Sequence, residues 1–129
     1  MDTIANMLTS ILNAQRVRKD RVAVPYSRKR ESLGRLLQAK GLLASLRVQE
    51  GSQSKIIMTL LYDTVTLDPR IHGVKRISSP GRRRYVKRNA IPYPFSSTGS
   101  FIVSTPQGLM DDKEARKQGL GGELVCEIW

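Results

Sequence analysis

The 129-residue chain is short of the residues that build metal and disulfide sites, because it contains one cysteine and one histidine. Cys126 alone cannot form an intramolecular disulfide, and Cys126 with His72 cannot supply the four ligands of a structural zinc site. No apolar run approaches the roughly 18 residues that a membrane-spanning helix needs. These absences exclude a disulfide scaffold, a zinc module and a transmembrane protein. We expect no metal, no cofactor and a reducing, intracellular compartment.

Groups for nucleophilic or acid–base catalysis are also scarce. His72 is the only imidazole, and no nucleophile motif brackets it. Cys126 lies in an apolar stretch, which favours a buried structural thiol over a reactive one. Asp111, Asp112 and Glu114 open a predicted helix, where carboxylates offset the helix dipole, so an acid–base pair is the weaker interpretation. The sequence therefore predicts neither an enzyme nor a small-molecule substrate.

Positive charge is abundant, with 22 basic against 11 acidic residues, a net charge of +11. Residues 16–40 hold nine basic residues against Asp20 and Glu31, and residues 69–110 hold eight and no acid. One such run is usually a solvated face, but two in a folding chain repel themselves, and a polyanion relieves this repulsion. Nucleic acid is the natural partner, since neither run carries the apolar stripe of a membrane-surface helix.

The hydrophobic periodicity predicts an α+β fold of two small subdomains. For the N-terminal subdomain, residues 1–64, it predicts an α-β-α-β-β order. The first helix spans 2–15 and is capped by Asp2 or Thr3, and the first strand spans 22–26 and is placed at a sheet edge by Pro25. The second helix lies between Ser27 and Gly41, and two further strands span 42–50 and 55–63. The C-terminal subdomain, residues 65–129, is predicted to be mainly β with a short helix. Its elements are strands over 71–78, 82–86, 100–105 and 123–129, a turn at 106–108 and a helix over 113–118.

Two features of the C-terminal subdomain are suited to RNA. Tyr85 is surrounded by basic residues, and its ring can stack on or hydrogen-bond to a nucleotide, although it is equally compatible with a core-facing position. The basic neighbours are Arg82, Arg83, Arg84, Lys87 and Arg88. Ser104, Thr105, Gln107 and Gly108 form a polar loop that suits an RNA backbone, with a plain turn as the alternative. Because aromatics are only 5% of the chain, a structured RNA fits better than a single strand.

Several segments together resemble the family of the eighth protein of the bacterial-type small ribosomal subunit. The matching segments are residues 2–9 (DTIANMLT) with Asn13-Ala14, 75–78 (KRIS), 80–83 (PGRR), Ser104-Thr105 with Gly108, 112–116 (DKEAR) and 119–126 (GLGGELVC). They span both ends of the chain, and the C-terminal set is the specific one.

The resemblance implies a two-part α+β protein that binds small-subunit rRNA in the central domain, supports subunit assembly and catalyses nothing. It places the principal RNA contacts at Ser104, Thr105, Gly108, Gly121, Gly122 and Glu123, with Tyr85, Arg82, Arg83 and Arg84 alongside. The polar loop and the basic run add Gln107, Lys87 and Arg88 as candidates. The N-terminal part is expected to touch neighbouring rRNA and ribosomal proteins, with Asn13, Lys29 and Arg30 as its contact residues. Glu123 repels phosphate, so its expected use is to accept from a base amino group or a 2′-hydroxyl, or to brace the loop.

The chain also departs from the family pattern. Ser10 and Leu12 stand where the family often has arginine, Pro106 replaces a frequent serine, and residues 93–100 lose most of a glycine-rich pattern. Such drift favours a mitochondrial ribosome, with a bacterial cytoplasm or a plastid as alternatives, and the arginine-bearing N-terminus is compatible with an import signal. The alternative function is a free RNA-binding regulator or ribosome assembly factor of the same fold.

Overall fold

A computed structural model describes residues 3–129 and shows two compact units, Thr3–Ile71 and His72–Trp129. The first contains α1 (Thr3–Arg16), β1 (Arg21–Pro25), α2 (Arg28–Ala39), β2 (Leu43–Gln49) and β3 (Lys55–Leu60). The second contains β4 (Val74–Arg76), β5 (Tyr85–Val86), β6 (Ser100–Thr105), β7 (Gly108–Asp111), α3 (Asp112–Gln118) and β8 (Gly122–Ile128). The predicted α+β class and the α-β-α-β-β order are confirmed. No helix of residues 3–129 is long and apolar enough to cross a membrane.

The local signals in the first unit act as the sequence predicts. The Ser27 hydroxyl accepts a hydrogen bond from the Arg30 amide at 3.1 Å and caps α2. Gly41 has a φ of +77°, the left-handed conformation that glycine adopts after a helix. The antiparallel sheet has the order β1-β3-β2, which puts Pro25 on an edge strand. Capping by Asp2 falls outside the described residues.

Close packing of α2 explains the glycine inside that helix. A Cβ atom at Gly34 would collide with the Leu46 side chain of β2 and lie 3.5 Å from Met7 of α1. Helix-interior glycine costs about 1 kcal/mol relative to alanine, and here it lets α2 approach both neighbours. Leu33 and Leu37 are fully buried on the same helix.

The connector after β3 belongs to the first unit. Tyr62 and Pro69 form an isolated bridge, and the Asp63 amide donates to the Asp68 carbonyl at 2.8 Å. Gln15 Nε2 of α1 donates to the Ile71 carbonyl at 2.9 Å. These bonds hold residues 65–71 to the first unit, and the compact units therefore divide after Ile71, seven residues beyond the limit expected from the sequence.

In the second unit, β8 is the central strand. It pairs antiparallel with β6 along one edge, and with β4 and β5 at different points along the other, and β7 extends the sheet beyond β6. The pairing of β6 with β8 shifts register: Ile102 lies opposite Cys126 but Val103 lies opposite Leu124. Val125 is therefore the extra residue of a β-bulge.

The bulge explains why the predicted strand over 71–78 is wrong at its end. The Val125 carbonyl accepts from the amides of Ile77 and Ser78, at 3.1 and 3.2 Å, so the regular ladder of β4 stops at Arg76. The predicted strand over 82–86 is likewise reduced to β5, Tyr85–Val86. β7 is absent from the sequence prediction, because four residues are too few to show a period.

One face of this sheet packs on α3. The buried cluster there consists of Ile91, Phe101, Val103, Met110, Ala115 and Leu124. The Asp111 carboxylate caps α3 by accepting from the Glu114 amide at 2.8 Å, and Gly119 ends the helix at a φ of +68°. Both helix-end signals were predicted from the sequence.

Candidate nucleic-acid interface

Three candidate residues lie side by side on adjacent strands of the C-terminal unit. Tyr85 of β5 is directly opposite Glu123 of β8, and Glu123 is directly opposite Ser104 of β6. Directly paired residues point to the same face of an antiparallel sheet, so Tyr85, Glu123 and Ser104 form one row, which we call the cross-strand row. Leu124 alternates with Glu123 and points to the opposite, core-facing side.

The cross-strand row offers three different groups to a ligand. Tyr85 is 70% exposed. The side chain of Glu123 is only 18% exposed, and its carboxylate accepts from Arg83 at 3.0 Å. The Ser104 hydroxyl has no hydrogen-bond partner in the part of the chain that the structure describes. An aromatic ring, a neutralised carboxylate and a free hydroxyl can stack on a base and exchange hydrogen bonds with sugar or base edges.

The loop beside the row is braced from within. The Thr105 hydroxyl donates to the Gly108 carbonyl at 2.8 Å and accepts from the Gln107 amide at 3.1 Å. Thr105 is 8% exposed, so the structure places it inside the turn, whereas Gln107 is exposed. Gly108 has a φ of +116°, which strongly favours glycine at this position. Thr105 therefore shapes the loop, and its neighbour Ser104 carries the available hydroxyl.

Gly121, which directly precedes β8, and Gly122, the first residue of β8, are explained by strand packing. A Cβ atom at Gly122 would collide with the Ser104 carbonyl oxygen and lie 3.1 Å from Thr105 Cα. A Cβ atom at Gly121 would lie 2.5 Å from the Val86 carbonyl oxygen. The space that the missing side chains leave is filled by β5 and β6, so both glycines set the spacing of the strands that carry the cross-strand row.

The basic segment before β5 is fixed to β8 through its backbone. Ser79 and Arg82 exchange both backbone hydrogen bonds, at 3.1 and 2.9 Å, and the buried Ser78 hydroxyl accepts from the Arg84 amide at 2.9 Å. The Arg84 carbonyl accepts from the Leu124 amide. The exposed basic side chains are Arg82, Arg83 and Arg84 in this segment and Lys87 and Arg88 directly after β5. The first three stand on an ordered hairpin, which lowers the entropy lost on binding.

The candidates in the first unit differ in exposure. Asn13 and Lys29 are exposed. Arg30 is buried, and its guanidinium donates to the Thr3 and Pro25 carbonyls at 3.3 and 3.0 Å. Arg30, expected from the sequence to be a contact residue, is therefore not on the surface, and its charge is used to join the start of α1 to the end of β1.

Glu31, one of the two acids in the 16–40 segment, is bonded to neighbouring side chains. Glu31 accepts from Arg35 at 2.9 Å and from the Tyr26 hydroxyl at 3.0 Å. The hydrogen bond from Arg35 and then that from Tyr26 lower the pKa of the Glu31 carboxyl below its ordinary value. Glu31 thus stays ionised and keeps its charge beside Arg35.

Three residues considered above as catalytic candidates, Cys126, Asp112 and His72, are held by burial or by hydrogen bonds to the rest of the C-terminal unit. Cys126 is fully buried in β8, as its apolar neighbours predict. Asp112 is 1% exposed, pairs with Arg116 at 2.7 Å and accepts from the Phe101 amide. His72 is exposed, and its amide donates to the Trp129 carbonyl.

Two basic residues near the interface were missed as candidates. Lys75 and Arg76 of β4 lie close to Arg82 and Arg84 because β4 and β5 pair with the same strand. The density of basic residues was visible in the sequence, but the shared pairing with β8 was not.

Together, the fold and this surface define a small basic α+β protein suited to a structured polyanion. The profile of the family described as ribosomal protein S8 matches residues 2–129, and the chain belongs to that family. It is 44% identical over 128 residues to the small ribosomal subunit protein uS8 of Sorangium cellulosum, covering 99% of this chain and 98% of that protein. Proteins of the same name from Synechococcus and Persephonella marina are 40% and 38% identical, each over 99% of this chain and over 96% and 98% of their own lengths.

Proposed function

We propose that the chain is a structural constituent of the small ribosomal subunit and binds small-subunit rRNA. The observation that carries this proposal is the cross-strand row, because strand pairing brings Tyr85, Glu123 and Ser104 to one exposed face beside an ordered basic hairpin. The membership in the ribosomal protein S8 family supports it. We assign rRNA binding to the C-terminal subdomain and place its target in the central domain of the rRNA, where it supports subunit assembly.

Each group of the interface has a separate role in this proposal. The Ser104 hydroxyl and the Gln107 amide contact sugar or base edges, and the Tyr85 ring stacks on a nucleotide. Glu123, neutralised in part by Arg83, accepts from a base amino group or a 2′-hydroxyl. The exposed cations Arg82, Arg84, Lys87 and Arg88 bind phosphates, while Thr105, Gly108, Gly121 and Gly122 maintain the geometry.

The first unit is proposed to contact neighbouring rRNA and ribosomal proteins through its exposed polar and basic groups, including Asn13 and Lys29. Arg30 is left out of this surface because it is buried. In this function the chain is not an enzyme and binds no small-molecule substrate. The preference for mitochondria finds no support among the relatives above, which are bacterial, so the proposed location is a bacterial-type small subunit.

The alternative is a free RNA-binding regulator or assembly factor of the same fold. Gradient fractionation of native cells, with crosslinking of the tagged protein to RNA, separates the two functions. Crosslinks at one small-subunit rRNA junction in particle fractions support the ribosomal proposal. Crosslinks scattered over many messages in light fractions would refute it.

Ser104→Ala and Thr105→Ala test the interface itself. Ser104→Ala should weaken rRNA binding by about two- to tenfold, the value of one hydrogen bond, with unchanged stability. Thr105→Ala should lower both affinity and stability, because it removes the two bonds that brace the turn. Lys113→Ala, an exposed substitution on α3, is the control and should change affinity much less. Equal losses from Ser104→Ala and Lys113→Ala would contradict the assignment.

Salt dependence tests the phosphate contacts. If the four cations Arg82, Arg84, Lys87 and Arg88 each neutralise one phosphate, the logarithm of the association constant should fall against log salt with a slope of about −3 to −4. Replacing Lys87 by glutamine should make that slope shallower by about 1. An unchanged slope would remove Lys87 from the interface.

A further inference from the structure

A groove of about 490 Å³ opens on the C-terminal unit where β4 leaves β8 and β5 joins it. Its floor is apolar and includes Ile77, Phe101 and Leu124. Leu124 points away from the side of β8 that carries Glu123, so this floor lies on the opposite face from the cross-strand row. The floor of the groove is therefore separate from that row, although Arg83, which pairs with Glu123 of the row, also lines the groove.

The rim of the groove is cationic. Lys75, Arg82 and Arg84 line it and are exposed. Among residues 3–129, the charged groups of these three side chains have no hydrogen-bond or ion-pair partner. Lys75 lies directly opposite Glu127 of β8, while Arg82 and Arg84 add two further positive charges around the depression, so an anionic ligand reduces the repulsion among the three cations.

The groove also holds one carboxylate. Glu127 lines it and accepts from the Phe95 amide at 3.3 Å, which ties the 92–95 loop to the end of β8. A carboxylate has room for several hydrogen bonds, so Glu127 can accept further ones from a ligand. The groove thus combines an apolar floor, three cations at the rim and one acceptor.

We propose that this groove binds an unpaired nucleotide of the RNA that the cross-strand row holds, an inference that rests on the proposed function. The base or ribose packs on the apolar floor, the flanking phosphates meet Lys75, Arg82 and Arg84, and Glu127 accepts from a base amino group or a 2′-hydroxyl. Proteins read RNA sequence mainly through such unpaired bases, which stack on aromatic rings and on guanidinium planes. The volume falls within the range of about 300–1,000 Å³ that small-ligand sites occupy.

An acidic protein segment fits this groove less well. Its carboxylates would match the three cations but would be repelled by Glu127, the one acid among the lining residues. A nucleotide carries phosphates for the cations and donors for the carboxylate, so it complements both signs of charge. The open shape also suits a polymer that passes through the groove.

Chemical footprinting tests the proposal. The full chain is bound to a transcript of the small-subunit rRNA of the organism that encodes it, and unpaired bases are probed with dimethyl sulfate. The groove variant is Lys75→Gln, which leaves the proposed phosphate contacts of Arg82, Arg84, Lys87 and Arg88 in place, and the control variant removes the same charge from α3 with Lys113→Gln. Both side chains are exposed, so both variants should unfold at the wild-type urea concentration.

Wild type and control should protect the same nucleotides. The groove variant should lose the protection of one or two unpaired nucleotides, whose reactivity returns to that of free RNA, while the remaining footprint persists. Identical footprints for the groove and control variants would overturn the inference. Groove-dependent binding seen only with an acidic partner protein would overturn it in favour of a protein ligand. A wild-type protein that leaves no footprint at all would instead refute the proposed function, a result distinct from the loss of single protections.

Discussion

Gly122→Ala should destabilise the C-terminal unit although it adds one methyl group. The new Cβ would collide with the Ser104 carbonyl oxygen and lie 2.9 Å from the carbon of the same carbonyl. These are backbone atoms of a paired strand, so neither can rotate away and β8 must move from β6. Overpacking of this kind costs about 1–3 kcal/mol. Alanine recovers about 0.4–1 kcal/mol by restricting the unfolded chain, which leaves a net loss of about 0–2.6 kcal/mol, with a central value of about 1 kcal/mol.

The assay is urea unfolding followed by tryptophan fluorescence. Trp129 is the only tryptophan, and it belongs to the same unit as Gly122, so its emission reports on the unit that is perturbed. With a urea dependence of about 1–3 kcal/mol per molar, a loss of about 1 kcal/mol corresponds to a fall in midpoint of about 0.3–1 M. Gly81→Ala is the matched control, because a Cβ atom there meets nothing within 4 Å. It should leave the midpoint unchanged or raise it slightly.

RNA binding gives a second readout on Gly122→Ala. Glu123 and Ser104 face each other across the two strands that the new methyl group separates. Affinity for rRNA should therefore fall by about two- to tenfold, measured without urea at a temperature where the variant is folded. A Gly122→Ala protein with wild-type midpoint and wild-type affinity would refute the reasoning that strand spacing positions the cross-strand row.

Two further predictions concern the first unit. Arg30→Ala should destabilise the first unit by about 1–3 kcal/mol, because the hydrogen bonds from the guanidinium to the Thr3 and Pro25 carbonyls are lost. The control Lys29→Ala should change the stability by no more than about 0.5 kcal/mol. Urea unfolding followed by far-ultraviolet circular dichroism measures both, and equal midpoints for the two variants would contradict this. The amides of Thr66 and Val65 donate hydrogen bonds to the Asp63 carboxylate and hold its pKa below the ordinary value of 3.8. The ionised carboxylate therefore stabilises the folded state fully above pH 3.8, and this contribution to the free energy of unfolding is lost as the pH falls through the folded-state pKa. Asp63→Asn should flatten that acid-side loss, and an unchanged pH dependence of the thermal midpoint would refute it.

Elements with strong local signals were predictable from the sequence. Helix α1 has an apolar period long enough to identify, and α2 is marked at both ends by Ser27 and Gly41. Asp111 and Gly119 mark α3 in the same way. In each case the signal and the structure that it produces lie within a few residues of one another, so tertiary contacts did not need to be known.

The missed features depend on pairing between distant strands. Val125 is an ordinary apolar residue in the sequence, and only its position opposite the Ile102–Val103 step makes it a bulge. The burial of Arg30 depends on carbonyls that neighbouring elements bring to it. Ser104 and Thr105 are neighbours in the sequence, but only the structure shows that the turn uses the Thr105 hydroxyl and leaves the Ser104 hydroxyl available.

The groups that can touch RNA on the cross-strand row are only as well placed as the three strands beneath them, and those strands are spaced by Gly121 and Gly122, which offer a ligand no side chain. Substitutions at backbone-packing positions should therefore reduce RNA affinity as much as substitutions at contact positions do, but with a loss of stability that the contact variants lack. Measuring both quantities for each variant separates residues that touch RNA from residues that position them, which affinity alone cannot do.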